Sequence, residues 1–245
     1  MTDAVDSVVR DMKLRMDDLT VDQEYLREFL GTYQRTTLAV GKAVDDGLFE
    51  DPAWVERWDV AFAELYLDAL DAYLSGGAPP RPWRLAFAAN PDLPALRHVL
   101  LGINAHVNYD LPQALLAVIS DADFTDASLM ASRRRDHERI DAVLAGRVAA
   151  EDAELALDGR SLTDRVLQPL NRLASKRFLR EARTKVWLNT VELQAARLAG
   201  PTAYDARLAE LEVLSAARIA DLLAPGQVLL RLAVAGFGVT LPPPA

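Results

Sequence analysis

One short stretch of this chain concentrates side chains that could do chemistry. Residues 104–112, which we call the signature, have the sequence NAHVNYDLP and hold one of the three histidines in the chain. On a continuous helix His106 and Asp110 would share one face, because residues four apart are neighbours there. An imidazole and a carboxylate can bind zinc or another divalent metal ion, and without a metal the carboxylate can orient the imidazole as a general base.

The same signature has an architectural interpretation. Pro112 disfavours helical geometry at the residue before it, so the sequence predicts that a helix ends or kinks near Asp110. Asp110 would then cap the next helix, and His106 would be a satisfied interior histidine. The neighbouring polar side chains would support either a site or a buried, hydrogen-bonded junction between helices. These supporting residues are Asn104, Asn108 and Tyr109.

A second polar group is formed by Asp136 and His137. Their order is the reverse of the His-Asp pairs in metal phosphohydrolases, and it makes His137 a further candidate for catalysis or metal binding. In the alternative interpretation, Asp136 caps a helix and His137 is an exposed residue of the first turn. His98 could join a site, and we expect it instead to be partly buried or on the surface.

One carboxylate stands among apolar residues. Asp59 follows Trp58 on a predicted helix, and a buried acid requires a partner. An ion pair with an arginine such as Arg183 is the favoured interpretation, and a metal ligand is the alternative. The candidate catalytic residues are therefore His106, Asp110 and His137, and the candidate metal ligands are these three together with Asp59.

The elements that must position these residues are helices. Strong helix formers dominate the sequence, and no alternation of apolar and polar residues is long enough to indicate a sheet. Thr20 and Gln23 fit a capping box, and Asp51 followed by Pro52 fits the start of a helix. We predict one all-α domain over residues 1–245, a bundle of about eight to ten helices, with flexible ends near 1–5 and 240–245.

Composition and charge exclude several classes of protein. The net charge of −9 argues against a nucleic-acid partner, which requires a basic face. The absence of cysteine excludes disulfides, zinc–thiolate sites and cysteine nucleophiles. No apolar run reaches the roughly 18–20 residues of a spanning helix, so we expect a cytoplasmic protein without stable membrane insertion. The apolar segment 228–239 could contact a membrane or form a homo-oligomer, although a core-packing helix is the favoured interpretation.

The signature and the later Asp136-His137 pair resemble an uncharacterised family of bacterial all-helical proteins, classed as a domain of unknown function. That family shares an N-A-H-[IV]-N-x-D-L-P core, and the segment from Trp54 to Tyr66 is similar to its aromatic helix. The resemblance covers most of the chain. An asparagine often stands four residues after the later aspartate in the family, whereas this chain has Ile140 there. The resemblance implies an all-helical fold and carries no established activity.

Two functions from different classes remain open at this point. The first is a hydrolase-like enzyme that acts on a small molecule, either by His/Asp acid–base chemistry or with a divalent metal ion that lowers the pKa of bound water. The second is a non-catalytic structural or interaction module in which the same polar residues are buried architecture. Phosphate-binding loops, dinucleotide fingerprints and H-E-x-x-H motifs are absent from the sequence.

Overall fold

The computed structural model describes residues 3–157, 162–226, 236 and 238–243, and within these ranges it describes no side chains for 145–157 and 162–179. The regular secondary structure of the described residues is entirely helical, which confirms the all-α prediction. It comprises ten α-helices, one 3₁₀ helix and one π-helical turn, in agreement with the predicted bundle of about eight to ten helices.

The helices follow one another with short connections. In chain order they are α1 (Asp3–Asp18), the 3₁₀ helix (Val21–Leu26), α2 (Arg27–Asp45), α3 (Pro52–Leu74), α4 (Arg81–Phe87), α5 (Ala95–Ala105), the π turn (His106–Asp110), α6 (Leu111–Val118), α7 (Asp121–Thr125), α8 (Ala127–Leu157), α9 (Leu162–Ala199) and α10 (Pro201–Leu223).

Local sequence signals set several of these boundaries. Gln23 Oε1 accepts the backbone N–H of Thr20 at 3.1 Å, as expected for the predicted capping box. Asp51 Oδ1 accepts the N–H of Trp54 at 2.9 Å, and Pro52 occupies the first turn of α3. Gly200 separates α9 from α10 with a φ of 119°, a backbone conformation that residues other than glycine rarely adopt.

α3 runs through both of the larger hydrophobic clusters and so organises the core. Its Tyr66 and Leu70 pack in the first cluster with residues of α1, α2, α4 and α5. Its Trp54 and Trp58 pack in the second cluster with residues of α6. α10 packs against α4 and α9, and α9 packs against α6. The π turn between α5 and α6 is therefore surrounded by helices from both halves of the chain.

The helix that carries the signature does not end at Asp110, so of the predicted end or kink the end was wrong. α5, the π turn and α6 form one uninterrupted helical rod from Ala95 to Val118. Leu111 donates its N–H to the carbonyl of His106, five residues earlier. The hydrogen-bond register thus widens immediately before Pro112, whose nitrogen has no proton to donate. The hydrogen bond that Pro112 cannot make would lie where the register changes, so the helical rod continues through the proline.

Two apolar side chains near the chain ends, where the sequence predicts flexibility, are buried. Val5 and Leu241 are 1% and 4% exposed, respectively. We call residues 238–243 the C-terminal strap. Asn189 Nδ2 donates to the carbonyl of Val239 at 3.0 Å, and Asn189 Oδ1 accepts the N–H of Leu241 at 2.9 Å. One amide side chain thereby holds the strap against α9.

The predicted apolar segment 228–239 lies largely outside the described residues, which resume at residue 236. In the part of the chain that the structure does describe, no helix combines the length and the apolar character needed to cross a membrane.

Candidate functional site

The π turn brings His106 and Asp110 into direct contact. His106 Nδ1 lies 2.8 Å from Asp110 Oδ2, and the two residues are 3% and 2% exposed. Trp83, on α4, donates its Nε1–H to the same carboxylate oxygen at 2.7 Å. We call these three residues the His106 cluster. The side chain of Asp110 does not cap α6, because both of its contacts point to other groups.

Aromatic rings enclose the imidazole of His106. Phe62 stacks on it with a centroid distance of 3.5 Å and an interplanar angle of 5°. Tyr33 meets it edge-on at 4.4 Å, and Phe29 and Tyr66 complete the enclosure at 5.9 Å each. Nε2 of His106 is buried and has no hydrogen-bond partner among the described residues. The imidazole is therefore held on one side by a carboxyl group and elsewhere by apolar rings.

Burial determines the protonation of this pair. Desolvation raises the pKa of Asp110 well above its ordinary value, and the hydrogen bond from Trp83 opposes this shift. Desolvation lowers the pKa of His106 well below its ordinary value. Both shifts favour uncharged side chains, because an enclosed apolar environment penalises the charged forms. The chemistry available here is that of a neutral, hydrogen-bonded pair.

The two asparagines of the signature bond along their own rod, and one of them also reaches the C-terminal strap. Asn104 Nδ2 donates to the carbonyl of Leu100 at 2.8 Å, and Asn108 Nδ2 donates to Asn104 Oδ1 at 3.3 Å. Asn108 Oδ1 accepts the N–H of Val239 in the C-terminal strap at 3.2 Å. Tyr109 is buried in a third apolar cluster with Leu211 of α10. The signature therefore connects its own rod to α4, to α10 and to the strap.

Asp136 and His137 are neither a cap of their own helix nor surface residues, so that alternative was wrong. Both lie within α8 and are 0% exposed. The two carboxylate oxygens of Asp136 accept the backbone N–H groups of Glu50 and Asp51, each at 2.8 Å. Asp136 thus secures the chain at the start of α3 from a different helix.

His137 occupies an aromatic position similar to that of His106, but no carboxylate among the described side chains pairs with it. Its ring lies 5.4 Å from Trp58 and 5.7 Å from Trp187. Within the described part of the chain neither ring nitrogen has a hydrogen-bond partner, and desolvation lowers the pKa of His137 well below its ordinary value. The backbone carbonyl of His137 accepts a hydrogen bond from Arg183.

The predicted ion pair between Asp59 and Arg183 does not form. Arg183 instead forms an ion pair with Asp141, the residue after Ile140. Arg183 Nε lies 2.5 Å from Asp141 Oδ1. No hydrogen bond or ion pair to Asp59 occurs among the described side chains. Desolvation, assisted by the nearby charge of Glu56, raises the pKa of Asp59 to about 7.

The predicted metal site is not assembled. Across the described side chains, no three His, Cys, Asp or Glu residues come together in a way that could hold a metal ion. His106 and Asp110 form one pair, His137 lies between two tryptophans, and Asp59 stands alone. Of the predicted contacts among these residues, only the one between His106 and Asp110 is present in the structure.

The sequence reasoning missed the partners that give the signature its environment. Trp83 and Phe62 contact the His106–Asp110 pair from α4 and α3, and Asn189 holds the strap to which Asn108 binds. A buried tryptophan requires an acceptor for its N–H, so Trp83 was a signal that an acceptor must lie nearby. The sequence offers no spacing rule that selects Asp110 as that acceptor.

The fold and this enclosed polar cluster define a class of all-helical protein with a hydrogen-bonded His–Asp pair in its core. A family model described as a family of unknown function (DUF5995) matches residues 5–225, and the chain belongs to that family. This result confirms the membership in an uncharacterised all-helical family that the sequence suggested. Neither a curated protein nor a solved structure matches the chain.

Proposed function

We propose that this protein is a non-catalytic helical module in which the polar residues of the signature are buried architecture. The observation that carries this proposal is the direction of their hydrogen bonds. Asp110 binds Trp83 of α4, and Asn108 binds Val239 of the strap. Each bond joins the signature rod to a segment distant in sequence, which is the role of a structural junction.

The enclosure of the His106 cluster supports the same proposal. A catalytic imidazole must reach a substrate atom at hydrogen-bond distance, directly or through one water. His106 and Asp110 are almost fully buried, and the rings of Phe62 and Tyr33 cover the imidazole. Two cavities of about 480 Å³ and 20 Å³ lie beside Tyr25 and His98, and their lining residues do not include His106 or Asp110.

A second candidate function is a hydrolase-like enzyme in which Asp110 orients His106 as an acid–base residue. The specific observation in its favour is His106 Nε2, which has no hydrogen-bond partner in the described structure and could accept or donate a proton. This function requires the aromatic enclosure to open, so that Nε2 can meet a substrate. A metal-assisted version has less support, because the candidate ligands do not come together.

Replacement of His106 tests the architectural proposal. His106→Ala removes the ring stacked on Phe62 and leaves the carboxyl group of Asp110 with one partner fewer. We expect a loss of about 2–4 kcal/mol in unfolding free energy, measured by denaturant titration, because the change creates both a cavity and an unsatisfied polar group. Leu198→Ala on α9 is the control, since Leu198 is 67% exposed and its truncation should cost about 0.5 kcal/mol or less.

Titration of the imidazole separates the two functions. In the architectural proposal His106 stays neutral until the protein unfolds in acid, so its ring resonances in an NMR spectrum do not shift between neutral pH and acid unfolding. A reversible titration near the ordinary histidine pKa of about 6.5 would show that the ring meets solvent. That result, combined with a fully stable His106→Ala protein, would favour the enzyme.

A further inference from the structure

The C-terminal strap lies on a surface that α9, α10 and the π turn build together, which we call the strap seat. Leu241 of the strap is 4% exposed and packs in the third apolar cluster, whereas its neighbour Thr240 is exposed to solvent. The strap therefore inserts one apolar side chain and leaves the one before it outside, as an extended peptide does in a groove. The seat is formed by Asn108, Tyr109, Asn189, Leu193, Arg207 and Leu211.

The seat holds the strap by its backbone. Asn189 donates to the carbonyl of Val239 at 3.0 Å and accepts the N–H of Leu241 at 2.9 Å. One side-chain amide thus pairs with the carbonyl of one residue and the N–H of the residue two positions later, as a neighbouring parallel β-strand would. Arg207 Nη2 donates to a third backbone group, the carbonyl of Pro242, at 2.7 Å. Contacts of this kind do not depend on which side chains the bound peptide carries.

Asn189 depends on the strap for its polar contacts. It is only 1% exposed, and among the described residues its side chain forms hydrogen bonds only with Val239 and Leu241. A buried amide that loses its partners is costly, because it can no longer exchange them for water. The seat is therefore suited to the backbone of an extended peptide and to no simpler ligand.

A glycine brings the strap close to α9. Gly238 is buried, and a Cβ atom there would lie 2.7 Å from Lys185 Cδ and 3.1 Å from the Cα atom of Ala182. Lys185 Nζ also donates to the carbonyl of Gly238 at 3.1 Å. The peptide pattern that fits the seat is thus a glycine, an apolar residue, any residue and a leucine, as in residues 238–241.

The strap lies outside the part of the chain that the family model matches. That match covers residues 5–225, whereas the strap begins at residue 238 and all residues of the seat lie within the match. Among the described residues, no hydrogen bond to the strap comes from the three members of the His106 cluster. The strap is therefore a separate segment that docks on a surface of the family domain.

We propose that the strap seat is a binding site for an extended peptide segment of a partner protein, and that the strap is its intramolecular occupant. The partner segment carries a glycine, an apolar residue and a leucine at the positions of Gly238, Val239 and Leu241. Any residue can stand at the position of Thr240. The strap blocks the site until a partner displaces it, since a tethered ligand acts at an effective concentration on the order of millimolar. This binding is a further role of the module and does not depend on the protonation of His106.

Binding of a labelled peptide to the full chain tests the proposal. The probe is a fluorescein-labelled peptide with the sequence of residues 236–243, and fluorescence anisotropy reports its binding. Leu241→Asp places a charge in the apolar cluster and weakens the hold of the chain's own strap. This variant should bind the probe at least about tenfold more tightly than the parent chain does, because the tethered competitor is released. Thr240→Asp, which adds the same charge at the exposed neighbour, is the matched control and should bind as weakly as the parent.

Two further comparisons examine how the seat recognises the peptide. Asn189→Ala, added to the Leu241→Asp variant, removes both amide contacts and should lower the affinity for the probe about tenfold or more. Thr184→Ala, at an exposed position of α9, is the control in the same background and should leave the affinity unchanged. A probe with Thr240→Lys should bind as tightly as the original. Absence of probe binding to the Leu241→Asp variant at millimolar concentration, equal affinity after Asn189→Ala, or loss of binding by the lysine probe would each overturn the proposal.

Hydrogen exchange of the unmodified chain gives a second test, which does not depend on how well a variant folds. A displaceable strap opens on its own, without unfolding of the bundle. The N–H of Leu241 should therefore exchange at least about a hundredfold faster than the N–H of Leu193, a fully buried residue of α9. Equal protection of the two amides would mean that the strap opens only when the bundle unfolds, and a partner could then not displace it.

Discussion

His98 and His106 lie eight residues apart on the same helical rod, yet the surroundings of their imidazole rings differ. Both are buried, and burial lowers the pKa of both. His106 has a carboxyl partner and an aromatic enclosure, whereas His98 lines a groove of about 480 Å³ and packs on Tyr25. The spacing of polar residues in the sequence therefore does not indicate which of the two histidines lies beside a cavity.

The difference also concerns what each residue does for the fold. The His106 cluster joins the rod to α4, and Phe62 of α3 packs on its imidazole. His98 contacts the 3₁₀ helix through Tyr25, with ring centroids 5.1 Å apart. We infer that the middle of the rod contributes more to the stability of the bundle than its beginning does.

Asp110→Ala should produce the largest effect. The change leaves both Trp83 Nε1 and His106 Nδ1 without their partner in an enclosed space, and each unsatisfied group costs about 1–3 kcal/mol. We expect a total loss of about 3–5 kcal/mol in unfolding free energy, measured by denaturant titration. Asp205→Ala, at an exposed position, serves as the control. A loss below about 1 kcal/mol would contradict the structural role of the cluster.

The Asp59→Asn variant tests whether burial raises the pKa of a carboxyl group in this core. Asp59 suits the test because no described residue forms an ion pair with it that would oppose the shift. The folded pKa of about 7 exceeds the ordinary value of 3.8, so the carboxyl group favours folding below pH 3.8 and this contribution is lost as the pH rises through 7. The variant should therefore gain stability relative to the parent chain between pH 4 and pH 8. The gain should be up to about 4 kcal/mol, since one pKa unit corresponds to about 1.4 kcal/mol.

Stability curves for both proteins at several pH values measure this difference. Glu56→Gln is a useful companion variant, because the charge of Glu56 is the smaller cause of the same shift. It should reduce the pH dependence only slightly. An Asp59→Asn protein whose stability parallels that of the parent at every pH would mean that the carboxyl group is well solvated.

Gly102→Ala should disturb the rod between the two histidines. A Cβ atom at this position would collide with the ring of Phe29, which belongs to the enclosure of His106. We expect a loss of about 1–3 kcal/mol, the usual cost of overpacking, although alanine is otherwise the better helix former. Gly31→Ala on α2 is the matched control, because its Cβ would lie 3.4 Å from the nearest atom, the end of the Arg35 side chain.

The melting temperatures of these two glycine variants give a direct readout. The control should be unchanged or slightly more stable, by up to about 1 kcal/mol. If Gly102→Ala were as stable as Gly31→Ala, then Phe29 would have room to move, and the enclosure of His106 would be looser than the structure indicates.

His98→Ala should have the smallest effect on stability in this series. It removes the ring contact with Tyr25 and leaves the space of a buried side chain partly empty, so we expect a loss of about 1 kcal/mol. This loss should be less than half that of His106→Ala in the same denaturant titration. Equal losses from the two variants would contradict the inference that His106 contributes more to the stability of the bundle than His98 does.

Much of the fold could be predicted from local signals. The capping box at Thr20 and the cap at Asp51 form as expected, because capping depends on residues within one turn of the chain. The boundary at Pro112 could not be predicted from proline alone. Pro112 has no N–H to donate, and the π turn at His106–Asp110 shifts the hydrogen-bond register just before it. Surrounding helices stabilise this uncommon turn.

The site was predictable only where two residues are close in sequence. His106 and Asp110 pair as their spacing suggested, whereas Asp59 and Arg183 do not pair, and Asp136 binds a backbone segment that no pattern indicates. Long-range partners depend on how helices pack, and many arrangements satisfy the same apolar pattern. Whether the cluster also has a catalytic role stays a prediction for the titration of His106 to decide.

By itself, the sequence determined that the chain is helical, that it belongs with an uncharacterised family, and that its polar residues concentrate at one stretch. The helical character follows from residue composition and periodicity, whereas the family was suggested by the resemblance of the signature motif. Only the tertiary structure decided that Trp83 and Phe62 enclose the signature while His98 faces an open groove. The reason is physical: accessibility and the pKa of a buried group depend on atoms contributed by distant segments, which become neighbours only when the helices pack.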